Sequence, residues 1–322
     1  MKYKILCTAP FKKFPKVMDL FNEAFDGDVF EYMPYDEILQ SIHLYDGMIP
    51  NARIPFDKPI INNAVALKAL YQPSMGYEHI DIDYLKLKSI DFNSLGLDHA
   101  FKETLWSTAE HTLSLMLSLL KNNYQSISEV KEHGKWDNRL YKITDLRNLN
   151  LGIIGFGNIG KKVAYLTNCF GANVSAYDPY INNSDFPKYV SRENDLKKLL
   201  FNSDMITLHV PSNKETLGLL GEEEINSMKD GSYLVNSSRG GIVDEKALMS
   251  AVESKKVIGV ALDVLDGESP YGVHDQPFVR FSKSHNNIII TPHLGGSSFP
   301  YMESIFMHSI NELKSMIDRQ GN

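Results

Sequence analysis

Three residue types suited to carbonyl chemistry recur in one pattern near the C-terminal half. Arg239 lies in "NSSRGG", Glu268 in "ALDVLDGESP" and His293 in "TPHLGG". An imidazole can donate or accept a proton near neutrality. A guanidinium fork can hold a carboxylate and a carbonyl oxygen together. Asp263 or Glu268 supplies an acid that could tune the imidazole. Each residue alone has a plainer reading: a surface cation on a tight turn, a solvated loop acid beside Asp266, a loop histidine after a strand. Their placement favours the shared reading. Each follows an apolar run that reads as a strand ("SYLVNSS", "VIGVALDV", "NIIIT"), and open α/β sheets bind ligands at the carboxyl ends of their strands.

A second motif accompanies them. "GFGNIG" sets Gly155, Gly157 and Gly160 in the G-x-G-x-x-G spacing, after the strand-like "LGII" and before the helical "KKVAYLTNCF". The first glycine permits the tight turn, the second lets a pyrophosphate approach the backbone, and the third lets helix and strand pack closely. Helix-start N–H groups then face phosphates. Asp178 ends the next strand, where a carboxylate can take ribose hydroxyls; its plainer reading is a turn residue before Pro179. This order predicts a dinucleotide site, with NAD favoured over NADP because Asp178 repels a 2′-phosphate.

The elements that must position these residues follow from periodicity. The first hundred residues read as a small α/β unit: strands at "YKILCTA", "GMIP", "KALYQ" and "SIDFN", and a helix in "FPKVMDLFNEAF" with Val17, Leu20, Phe21 and Phe25 on one face. "KETLWSTAEHTLSLMLSLLKNN", residues 102–123, reads as one buried helix, left by the polar stretch "EHGKWDNRLYKITDLRN". From Asn150, strands and helices alternate in a doubly wound pattern, with Asp244 as the N-cap of "DEKALMSAVES". "ESIFMHSINELKSMID" reads as a closing helix with Ile305, Phe306, Ile310, Leu313 and Ile317 inward.

Composition excludes other classes. The chain has 322 residues, enough for two domains, with 43% hydrophobic and 23% charged residues and a net charge of −7. That balance argues against a nucleic-acid surface or an anionic membrane. Two cysteines, Cys7 and Cys169, make no disulfide framework and no metal-spaced cluster. The N-terminus lacks a long apolar segment, and "LSLMLSLL" is too short to span a bilayer. A cytoplasmic protein is expected.

Several segments together carry a family resemblance: "SMGYEHID", "TAEHTLSL", "LGIIGFGNIG", "YDP", "HVPSNKETLGLL", "VNSSRGGIVDEKAL", "GVALDV" and "NIIITPHLGG". The chain resembles the D-isomer-specific 2-hydroxyacid dehydrogenases, nearer to members similar to phosphoglycerate dehydrogenase. The resemblance implies an α/β fold of two domains, a Rossmann NAD-binding domain at 102–292 inserted into a smaller flavodoxin-like substrate domain of 1–101 plus 293–322. It implies hydride exchange between NAD and a small anionic 2-hydroxy or 2-oxo acid, with no metal. Arg239 would bind the substrate's carboxylate and carbonyl oxygen. His293 would be the acid–base group, and Glu268 would hydrogen-bond it and raise its pKa. Asp263 would contact the nicotinamide carboxamide, with Gly295 and Gly296 close by. Asn158 and Ile159 would lie under the pyrophosphate, Ser237 and Ser238 along the cofactor cleft, and His209, Val210 and Pro211 on the adenine side. His209 itself reads as a strand-end residue, not a catalyst. The turn Ser74, Met75, Gly76 would cradle the substrate carboxylate, as successive backbone N–H groups can. Many members of the family carry an arginine in the loop around residues 50–53, where this chain reads "IPNARIPFD" and Arg53 is the candidate. Closure of two domains would exclude water, the long helix and its arm would form a homodimer interface, and no C-terminal regulatory domain is expected after Asn322. The competing reading is an NAD(H)-sensing regulatory protein on the same scaffold. A formate dehydrogenase fits less well, because a substrate without a side chain needs a tighter pocket.

Overall fold

The computed structural model describes residues 2–51, 54–268 and 272–320. The chain forms two compact units, one of Met1–Leu105 with Ser298–Asn322 and one of Trp106–Ser297.

In the first unit five strands, β1 (Lys4–Cys7), β2 (Asp26–Val29), β3 (Gly47–Ile49), β4 (Ala69–Gln72) and β5 (Asp91–Ser94), pair in the order β2-β1-β3-β4-β5, all parallel. Side chains alternate across the sheet. Ile5, Cys7, Ala69 and Tyr71 enter a core with Val17 and Phe21 of helix Pro15–Ala24, Phe25 just after it, and Ile305, Phe306, Ile310, Leu313 and Ile317 of helix Phe299–Gln320. Leu6, Met48 and Leu70 point into a second core on the other face. A sheet buried on both faces needs near-continuous apolar strands, which explains the short runs that marked them. β2, "DGDV", lacks that signal because it is an edge strand with exposed and half-buried residues.

In the second unit seven strands are likewise parallel: β6 (Asn150–Ile154), β7 (Asn173–Tyr177), β8 (Val190–Arg192), β9 (Met205–Leu208), β10 (Ser232–Asn236), β11 (Val257–Leu262) and β12 (Ile288–Ile290). Their order is β12-β11-β10-β9-β6-β7-β8, the doubly wound arrangement, with its reversal between β6 and β9. The expected α/β, Rossmann-type architecture is present.

One expectation is corrected. The single helix over 102–123 is three: His99–Glu103, Ser107–Leu120 and Asn123–His133. Leu105 is buried in the core of the first unit and Ala109 in that of the second, so the chain leaves one helix and starts another between them. Asn122 then takes a left-handed backbone, φ 50°, and ends the apolar run. The two compact units divide at 105/106 and 297/298. His293, Leu294 and Gly295 hydrogen-bond back to Asp263 of the second unit, which keeps them there.

Candidate active site

The glycine turn follows β6. Gly155 has φ 91°, and a Cβ there would meet the His209 carbonyl oxygen at 2.5 Å. A Cβ on Gly160 would meet the Gly155 carbonyl oxygen at 2.1 Å, so helix Asn158–Cys169 can start this close to the strand only with glycine. Around Gly157 the opposite holds: a Cβ would meet nothing within 4 Å. This glycine faces open space at a helix N-terminus, the approach a pyrophosphate needs. Asp178, just past β7, accepts from Phe156 N–H at 2.8 Å through Oδ2 and from Tyr180 N–H at 2.9 Å through Oδ1. It therefore fixes the turn as well as facing it. Asn158 Oδ1 accepts from the buried Lys162 ammonium at 2.9 Å, and Ile159 follows in the first helical turn.

His209, Val210 and Pro211 follow β9. Burial pushes the His209 imidazole down to about 3, so it is neutral, and its Nε2 lies 3.0 Å from Thr207 Oγ1. That fits the plain strand-end reading.

Past β10, Ser237 Oγ lies 2.7 Å from Thr112 Oγ1. Ser238 donates both its N–H and its hydroxyl to Asn236 Oδ1, at 3.0 and 2.8 Å. The Asn236 amide in turn donates to the Arg239 carbonyl at 2.9 Å. One buried asparagine thus shapes the turn that carries Arg239, whose Nη1 donates to the Ser238 carbonyl at 2.8 Å.

Past β11 and β12 lie the acid and the imidazole. His293 Nδ1 and Glu268 Oε1 are 2.5 Å apart. The hydrogen bond to Glu268 raises the His293 pKa, against burial, which lowers it. Burial alone would raise the Glu268 carboxyl, but the bond and charge of His293, the Leu265 N–H and the Arg239 charge outweigh it and hold the pKa low. Arg239 is near enough that its charge lowers both partners' pKa values. The structure therefore brings Arg239, Glu268 and His293 into one electrostatic group within the second unit.

His293 has a left-handed backbone, φ 56°, a conformation few non-glycine residues adopt. Asp263 holds it there. The His293 N–H donates to the Asp263 carbonyl at 2.9 Å. Oδ1 of Asp263 accepts from Leu294 N–H at 2.7 Å and Thr291 Oγ1 at 2.5 Å, with His111 Nε2 at 3.1 Å, and Oδ2 accepts from Gly295 N–H at 2.8 Å. Burial would raise this carboxyl, but these donors together keep it low, so it stays an anion. Ser107 Oγ also donates to the Gly295 carbonyl, and Gly296 completes the turn. His111, Thr291 and Asn236 were given no role on sequence. For His111 the one signal is "TAEHT", one turn into a helix whose apolar face hides its polar one. Asp263→Asn should cost ~3 kcal/mol in chemical denaturation, because an amide N–H would oppose the Leu294 or Gly295 N–H. A loss under about 1 kcal/mol would show that the carboxylate does not hold this loop.

The Ser74–Gly76 turn belongs to the first unit. Its Ser74 hydroxyl donates to the Gly76 carbonyl at 2.6 Å and accepts from Gln72 Nε2 at 2.8 Å. Among the described residues no acceptor takes the Met75 or Gly76 N–H. Arg53 lies outside the described residues.

Residues 113–295 match the profile of the NAD-binding domain of D-isomer specific 2-hydroxyacid dehydrogenases. A hydroxypyruvate reductase of Thermotoga maritima is 35% identical over 270 residues, 83% of each chain. A D-3-phosphoglycerate dehydrogenase of Archaeoglobus fulgidus is 34% identical over 266 residues, 83% of this chain and 48% of the relative. The chain spans about half the length of such phosphoglycerate dehydrogenases. The solved D-lactate dehydrogenase of Aquifex aeolicus, complexed with NAD and lactic acid, is similar with a TM-score of 0.82 at 27% identity, over 99% of this chain and 98% of its own.

Proposed function

Because the chain belongs to the D-isomer-specific 2-hydroxyacid dehydrogenase family, we propose that it interconverts a small 2-hydroxy acid, of the D configuration, and its 2-oxo acid. The observation that carries this reading is the Glu268–His293 pair beside Arg239, on the sheet edge that also bears the glycine turn. NAD, held by Gly155–Gly160 and Asp178, supplies or accepts the hydride when bound. The chain's own residues do the rest. Arg239 binds the substrate carboxylate and polarises the carbonyl. In reduction His293 gives its proton to the carbonyl oxygen, and in oxidation it takes that proton back. Glu268 orients the imidazole and keeps it protonated to higher pH. Asp263 contributes by fixing the His293 loop, with Oδ2 also available to a nicotinamide amide. Ser237, Ser238 and His209–Pro211 line the cofactor's path. We assign the Ser74–Gly76 turn to the substrate carboxylate, supported by its Met75 and Gly76 N–H groups.

A second copy of the chain is the partner that fits one further surface. The segment around helix Asn123–His133 exposes Tyr124, Ile127, Trp136, Leu140 and Ile143, more apolar area than a lone surface residue explains. We place the protein in the cytoplasm; no helix among the described residues is long and apolar enough to cross a membrane, and Cys7 and Cys169 are free thiols.

The test is direct. NADH is mixed with glyoxylate, hydroxypyruvate, pyruvate and 3-phosphohydroxypyruvate, and loss of absorbance is followed. Turnover of at least one acid is expected. Tight NADH binding without oxidation by any 2-oxo acid would favour the NAD(H)-sensing alternative.

A further inference from the structure

The first unit carries a polar cluster that the reaction does not use. His308 and Glu312 stand one turn apart on helix Phe299–Gln320, and Asp98 caps helix His99–Glu103. One ligand-type atom from each lies within 4.8 Å of the others, and all three residues are half-buried. His308 Nε2 lies 2.7 Å from Asp98 Oδ2. Both of these groups are held in place by others. Asp98 Oδ1 accepts from Phe101 N–H at 2.9 Å, which leaves Oδ2 facing the cluster. The Phe101 ring stacks on the His308 imidazole at 3.8 Å and 3°, which fixes the ring plane. The Glu312 carboxylate takes no hydrogen bond among the described residues.

A second observation points into the same place. Tyr71 on β4 is fully buried, and its hydroxyl has no hydrogen-bond partner among the described residues. Its ring meets the His308 ring edge-on at 6.1 Å. Neither carboxylate of the cluster accepts from this hydroxyl among the described residues. An unmade hydrogen bond of this kind costs ~1–3 kcal/mol. Two carboxylates, an oriented imidazole and an unpaired buried donor form a donor set that suits a cation. Lys102, whose charge couples to Asp98, also donates to the Gly96 carbonyl at 3.0 Å.

We propose that Asp98, His308 and Glu312 bind one divalent transition-metal ion, zinc by preference, which fastens the C-terminal helix to the segment after β5. One nitrogen and two carboxylate oxygens are a zinc-type set, with a fourth position for water. The Tyr71 hydroxyl is then a partner for that water or for a ligating oxygen. Magnesium, which wants an octahedral oxygen shell, is a poor match for the imidazole. The site shares no residue with the hydride chemistry, and its role is structural.

The full chain, stripped with a chelator, is titrated with zinc chloride or magnesium chloride by calorimetry and thermal melting. One zinc per chain is expected at this site. At a hundredfold excess over Kd the melting temperature should rise by about 4 °C, with no rise for magnesium. Cobalt(II) should give a visible absorption band of a low-coordinate site. Glu312→Gln, at a side chain that takes no hydrogen bond among the described residues, should melt like the wild type in chelator yet lose the zinc-induced rise and the cobalt band. His308→Gln should lose both as well. No zinc-induced rise in the wild type, or a rise kept undiminished in both variants, overturns the proposal. The readout does not depend on the enzymatic reading, so the two can fail separately.

Discussion

His293→Asn will lower turnover of the 2-oxo acid by ~10³-fold while NADH still binds, since a positioned general acid contributes ~10²–10⁴-fold. Asparagine is the substitution of choice because it tolerates the left-handed backbone at this position, φ 56°. The loss then reports the missing proton donor and not a collapsed loop. The wild-type pH profile is the companion measurement. Reduction needs protonated His293, so its rate is flat at low pH and falls as pH rises through a pKa above the ordinary imidazole value. Oxidation needs the neutral ring and runs the other way. Glu268→Gln removes the main cause of the raised pKa and moves the limb to lower pH. Stability follows the same signs. The His293 contribution is complete below the unfolded imidazole value and fades as pH climbs through the raised one. The Glu268 contribution is complete above the unfolded carboxyl value and fades as pH drops through the lowered one. The pair therefore stabilises most between those two unfolded values. An Asn variant with normal turnover would remove His293 from the mechanism.

Arg239→Ala will cut kcat/KM by ~10³-fold, the size expected when two charge-assisted hydrogen bonds of ~1.5–3 kcal/mol each are lost. Arg239→Lys should recover only part of this, because an ammonium offers no planar fork to a carboxylate and carbonyl together. NADH affinity should change little. The pH profile gives an independent check. Arg239 charge lowers the His293 pKa, so the alanine variant should shift the reduction limb upward, opposite to Glu268→Gln. Full recovery by lysine would show that geometry at this position is unimportant.

The sites that sequence exposed best are those where chemistry and backbone demand coincide. The glycine triplet was legible because each glycine meets a separate requirement: a positive φ, an open face, a close approach. Arg239, Glu268 and His293 were legible because each follows an apolar strand. What stayed hidden was the scaffolding that holds them. Asn236 reads as the last residue of a strand, and only the fold shows its amide joining Ser238 to Arg239. Asp263 reads as a ligand for a cofactor, while the fold shows it collecting donors from two segments far apart in the chain, the helix of His111 and the turn 291–295. The break at 104–106 stayed hidden as well, since leucine and tryptophan there continue a helical pattern and no proline or glycine marks the stop. The edge strand β2 had too few apolar residues to announce itself.

The first unit is assembled from both ends of the chain, with Ile305, Phe306, Ile310, Leu313 and Ile317 completing the core around β1 and β4. On the ribosome this sets an order of events. The 105 N-terminal residues emerge first but lack one wall of their core. The inserted unit, residues 106–297, has all its strands in hand before the last helix is made. Domains fold as they emerge during synthesis, yet here the first-made segment is the last to close. Until then the apolar face that Ile305, Phe306, Ile310, Leu313 and Ile317 cover stays open.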